Sequence, residues 1–185
     1  MDPTPRHQCF IYSGPPNQHL RPIAKVICEK LKQGYRCIYL NSEPMVAGMR
    51  SYLAAAGADV EAEVGKSSLV LSSERPHLVE EQFKMDGMLE GLESELERAL
   101  RDGYTGLFAT GDMTWEMGPD QDMNKLTAYE QSLEEFFHAH PQMSGICQYH
   151  ANTLPKELLD RGLRLHRALF INETLSVLNS QYSPA

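Results

Sequence analysis

The residues in this chain best suited to chemistry are polar and aromatic groups at the exits of short apolar runs. Tyr12 ends the run from Gln8, and Ser13, Asn17 and His19 follow it. Glu43 follows Arg36–Leu40, and Asp112, Trp115 and Glu116 follow Leu107–Ala109. Gln148, Tyr149 and His150 close the run from Ser144. Carboxylates and imidazoles can trade protons or grip polar atoms, and aromatic rings supply walls, so the set describes a small-molecule pocket better than a hydrolytic centre. The chain has no Ser/His/Asp elbow, no His-Glu-x-x-His helix and no glycine-rich nucleotide loop.

These groups meet only if their runs are neighbouring strands. The stretch Gly103–Gly118 organises that reading: Leu107–Ala109 is a short buried strand, Thr110-Gly111-Asp112 its polar exit, and helical patterns flank it on both sides. In open α/β sheets ligands collect at the carboxyl ends of the strands, where these residues lie. Further strands are expected over Gln8–Tyr12, Arg36–Leu40, Leu69–Leu71, Ser144–His150 and Ala168–Ile171. Helices are expected over Leu20–Leu31, about Val46–Ala56, Lys84–Arg101, Leu126–Ala139 and Leu154–Leu165, with apolar residues at helical spacing in the first, third and fourth. Glu61–Lys66 reads as an exposed charged link, Ser72–His77 as a polar loop, and the tail from Asn172 as marginal helix or coil. The fold class is α/β, a three-layer αβα sandwich with a mostly parallel sheet.

The first strand, Gly-containing turn and helix stand where a nucleotide P-loop would be. In this turn the Gly-Lys-Ser/Thr is absent, Pro15 and Pro16 remove backbone donors, and Lys25 falls too deep in the helix to replace the missing lysine. Glu43 has two readings: a site carboxylate, or an acid at a helix N-terminus behind a Ser42 cap. Glu90, Glu93, Glu95 and Glu97 read as the solvated face of a long helix. His138 and His140 read as helix C-terminal groups, and no metal site or cofactor is expected. Cys9, Cys28, Cys37 and Cys147 are spaced singly and read as reduced core thiols.

With 185 residues, 42% hydrophobic content and a net charge of -8, the chain fits one domain with its core over about residues 8–171. The charge and the lack of a Lys/Arg cluster argue against nucleic acid. No apolar run has the length of a membrane span, and the N-terminus lacks a signal-peptide plan, so a cytoplasmic location is expected.

Taken in order, Gln8–Tyr12, Gly34–Leu40, Gly103–Leu107 with Gly111–Trp115, Ala128–Glu130 and Ile146–Tyr149 resemble the MEDS sensory domain (methanogen/methylotroph, DcmR-type). The resemblance runs from about Gln8 to Ile171. It implies a RecA/KaiC-like domain without a working P-loop, which senses a small organic ligand such as a hydrocarbon derivative and relays that state to a regulatory protein. Two positions depart from the family's pattern: Asp112 stands where Glu is usual, and His150 where Asp is usual. No output domain fits in this length, so a separate partner protein or a homodimer is expected. Two alternatives stay open: an enzyme on an altered ATPase scaffold, with Glu43 or Asp112 as base and His19 or His150 as its partner, and an interaction module with a vestigial pocket.

Overall fold

The computed structural model describes residues 6–15, 17–119 and 122–183. Its elements run β1 (His7–Tyr12), α1 (Asn17–Lys32), β2 (Arg36–Leu40), α2 (Glu43–Ala55), α3 (Val60–Gly65), β3 (Leu69–Ser72), β4 (Leu78–Val79), β5 (Gln82–Phe83), α4 (Met85–Arg101), β6 (Leu107–Asp112), α5 (Met113–Met117), α6 (Met123–Ala139), β7 (Met143–His150), α7 (Lys156–Leu165), β8 (Ala168–Asn172) and β9 (Leu175–Leu178). Among the described residues one sheet of seven strands has the order β3-β2-β6-β7-β1-β8-β9, and β4 and β5 form a separate hairpin. All pairings in the large sheet are parallel except β8 with β9. None of the described helices is long and apolar enough to cross a membrane.

Parallel strands need crossover helices, and covering both faces makes each strand apolar nearly throughout. Alternation then divides the side chains between two cores. Phe10, Phe108 and Ile146 pack with Ile23, Ile27, Met49 and Leu53 under α1 and α2. Cys9, Leu107, Cys147 and Tyr149 pack with Leu92, Leu96, Leu133 and Leu158 under α4, α6 and α7. Each such aliphatic or aromatic side chain, taken out of water, contributes about 1.5–3 kcal/mol. The sheet centre β6-β7-β1 lies between these layers and carries Asp112, His150 and Tyr12 at its carboxyl edge.

Several local expectations need correction. The stretch read as a charged link is mostly helix α3, started by the Asp59 side chain accepting from the Ala62 N–H. Ser42 stands at the cap position of α2 without a side-chain cap bond. Glu95 leaves the solvated face to pair with Arg36, Nη2 to Oε2 2.8 Å, because that guanidinium is buried and needs a counter-charge. The tail forms the antiparallel edge strand β9.

Close strand contact fixes one glycine. A Cβ at Gly106 would stand 2.1 Å from the Gln142 carbonyl oxygen, which already accepts from the Leu107 N–H. Gly106→Ala therefore forces β6 and β7 apart at their start, and urea unfolding is expected to show a loss of about 3 kcal/mol.

Candidate functional site

Three central strands end side by side, and their last residues make one connected group. The Tyr12 hydroxyl donates to Asp112 Oδ2 at 2.7 Å, and the Trp115 N–H donates to Asp112 Oδ1 at 3.1 Å. Asp112 thus caps the five-residue α5 and holds the phenol with its other oxygen. Tyr12 is stacked on both sides, by His19 with ring centroids 3.7 Å apart and by His150 at 4.8 Å. Burial first, and then the Asp112 carboxylate, raise the Tyr12 phenol far above its ordinary value, so it stays a hydrogen-bond donor. His150 lies 3.1 Å from Thr153 Oγ1 and 3.3 Å from the Gly14 carbonyl oxygen, and the Gly14 N–H donates to Asn152 Oδ1 at 2.9 Å. The turn after β1 is therefore tied to the turn after β7.

Gln148 is the cross-strand neighbour of Asp112 and shares its face of the sheet. Its amide nitrogen donates to Thr110 Oγ1 at 2.8 Å, and that hydroxyl donates to the Ile146 carbonyl at 2.7 Å. The Gln148 Oε1 and both ring nitrogens of His19 are buried without a protein partner. Buried polar atoms of this kind cost free energy unless something bonds to them. Tyr39 and Asn41, which the strand-end reading passed over, belong to the same face: the Asn41 amide donates to the Tyr39 hydroxyl at 3.0 Å, and the Asp112 charge adds to the burial that raises Tyr39.

Other expected residues do not join this group. Ser13 is exposed, and Glu43 is exposed in the first turn of α2, the helix-terminal reading of that acid. Asn17 opens α1, and its side chain lies outside the described residues. Trp115 and Glu116 lie on α5 rather than at a strand end. Trp115 packs edge-on against His77, whose Nε2–H donates to the Glu116 carbonyl at 2.9 Å. The Glu116 carboxyl is pushed well up by burial and by the charges of Glu130 and Asp112, and accepts from the Tyr129 hydroxyl at 3.2 Å. It lines a core cavity of about 30 Å³. Tyr149 points to the opposite face, where its hydroxyl donates to the buried Glu130.

The family model described as "MEthanogen/methylotroph, DcmR Sensory domain" matches residues 6–167, which include every strand of the central group. The chain belongs to the MEDS family. A search of curated proteins gives no match. In this MEDS domain the shorter Asp112 uses both oxygens within the fold, and His150 supplies a ring stack where the resemblance expects a carboxylate.

Two further features lie outside the strand-end group. A cleft of about 1000 Å³ opens at the amino ends of β1 and β7, between α1, α6 and the β8-β9 hairpin, with Lys30, Phe108, Glu134 and Thr174 on its walls. Beneath it, His7, Glu130, Cys147 and His166 bring possible metal-ligating atoms within 4.8 Å of one another, all buried. These four are far apart in sequence, where Cys147 drew notice only as a core thiol and Glu130 only as the end of Ala128–Glu130.

The His19 imidazole carries a consequence for pH. Burial, and then neighbouring His150, lower it from 6.5 to about 4. The unfolded chain takes up a proton at His19 near pH 6.5, and the folded chain does not until about pH 4. Folding therefore loses stability at this residue as the pH falls through that window. In urea titrations across pH 4–7, His19→Phe is expected to flatten the acid slope of the wild-type curve.

Proposed function

We propose that this MEDS domain is a non-catalytic sensor that binds a small, neutral organic molecule at the carboxyl ends of β1, β6 and β7. The observation that carries the reading is the Tyr12–Asp112 pair, stacked between His19 and His150, beside buried His19 and Gln148 atoms that lack protein partners. Aromatic walls with a few fixed polar atoms favour a ligand that is part apolar and part hydroxyl or amide. A hydrocarbon derivative bearing one such group fits that description. The turn after β1 supports a ligand other than a nucleotide, because Gly14 spends both its N–H and its carbonyl on the turn after β7. Relay to a regulatory protein is proposed along the free edge of β9, where Leu175, Val177 and Leu178 are exposed.

Thermal unfolding against a panel of short alcohols, amides and substituted hydrocarbons, with magnesium ATP alongside, tests this. A ligand confined to the native state adds about 2.7 kcal/mol at a hundredfold excess over its Kd. A shift with an organic compound and none with ATP is expected, and a shift with ATP alone would favour the enzyme reading. The wide amino-end cleft favours a second reading, with the ligand seated there.

A further inference from the structure

The buried His7, Glu130, Cys147 and His166 pose a problem of hydrogen-bond direction. His7 Nδ1 lies 3.0 Å from Glu134 Oε2, and His166 Nδ1 lies 2.7 Å from the Gly162 carbonyl oxygen. A carboxylate and a carbonyl only accept, so both Nδ1 atoms carry hydrogen. In the neutral rings the two Nε2 atoms are then lone pairs. Both face the same oxygen, Glu130 Oε2, at 3.5 Å from His7 and 3.3 Å from His166. The other Glu130 oxygen accepts from the Tyr149 hydroxyl. His7 Nε2 also lies 3.4 Å from the Cys147 sulfur. Neither Glu130 Oε2 nor His166 Nε2 has a hydrogen-bond partner, and both residues are fully buried. Lone pairs converging on one point out of water require a shared proton or a metal ion between them.

We propose that His7 Nε2, Glu130 Oε2, Cys147 Sγ and His166 Nε2 form a binding site for one zinc-class divalent transition-metal ion. Four ligands at roughly 2.0–2.3 Å in a tetrahedron stand about 3.3–3.7 Å from one another, the range of the three spacings above. Two imidazoles and a thiolate select zinc-like ions over magnesium or calcium, and the thiolate and carboxylate balance the double charge. The outer contacts are those of a built site: Glu134 and the Gly162 carbonyl hold the Nδ1 hydrogens and aim each ring inward, and Tyr149 orients Glu130. His7 and Glu134 also line the amino-end cleft, which gives the ion a way in. The ligands come from β1, α6, β7 and the segment between α7 and β8, so the ion joins α6 and the end of α7 to the middle of the sheet. Four protein ligands leave no open position, which makes the ion structural or regulatory rather than catalytic. This site is independent of the strand-end ligand proposed above.

The test is cobalt and zinc loading of the whole chain after chelator treatment, with circular dichroism reporting the fold. One cobalt ion per chain is expected, giving the intense visible bands of a tetrahedral site and a thiolate-to-cobalt charge-transfer band, both displaced by zinc. Cys147→Ser should lose the charge-transfer band, and His166→Ala should weaken binding at least about tenfold. Zinc-edge X-ray absorption of the wild-type chain needs no variant and should find one sulfur and three nitrogen or oxygen neighbours. A folded wild-type chain that gives no cobalt spectrum, and whose melting temperature ignores both zinc and chelator, would overturn the site in favour of a proton shared between His7 and Glu130. A zinc shell without sulfur would overturn it equally.

Discussion

Glu130→Ala is expected to lower the stability of the metal-free chain by roughly 3–5 kcal/mol, the cost of removing one partner from a buried charged network. Glu130 is fully buried, and its carboxylate is the shared acceptor for the Tyr149 hydroxyl and the facing charge for His7 and His166. Alanine leaves a phenol and two imidazoles without it at a fully buried position. Burial pushes the Glu130 carboxyl up, yet His166, His7 and Tyr149 together hold it below its ordinary value, so this network outweighs the desolvation. Glu130→Gln keeps an acceptor for Tyr149 and should lose clearly less. Urea unfolding of both variants beside the wild type reads the difference, and a loss under 1 kcal/mol for alanine would show that the cluster contributes little.

The second large effect concerns the ligand. Asp112→Ala is expected to weaken the stabilising compound about tenfold to a hundredfold, the range for one hydrogen bond to a charged group. The same change removes the cap on α5, which costs about 1 kcal/mol of stability by itself. Tyr12→Phe separates the two roles, because it deletes the hydroxyl and leaves the Asp112–Trp115 cap in place. Affinity measured by calorimetry for both single variants and the double variant should show coupling, since the phenol and the carboxylate act as one unit. Full affinity in Asp112→Ala would remove this pair from the site.

The strands at the sheet centre were legible because burial on both faces makes them short apolar runs, and β2 was read to its ends. Elements built from few residues were not. The five residues of α5 and six of α3 are too short for a period to appear, and each depends on one aspartate cap. The four residues of β9 alternate only briefly at an edge. Within the site, Tyr12, Asp112 and His150 were legible as polar strand exits, and His19 as a group just beyond one, in the first turn of α1. Tyr149 misled because neighbouring strand residues point to opposite faces, so it and Gln148 could not both face one pocket. The His7, Glu130, Cys147 and His166 cluster has no local spacing to read. It arises from the parallel register that sets His7 beside Gly145 and Cys9 beside Cys147.

The most direct measurement is a two-dimensional amide and aromatic NMR titration of the domain with whichever compound raises its melting temperature. A ligand at the carboxyl ends moves the resonances of Tyr12, His19, Asp112, Gln148 and His150 and leaves Lys30, Phe108 and Thr174 in place. Shifts confined to those last three, on the walls of the amino-end cleft, would contradict the strand-end site.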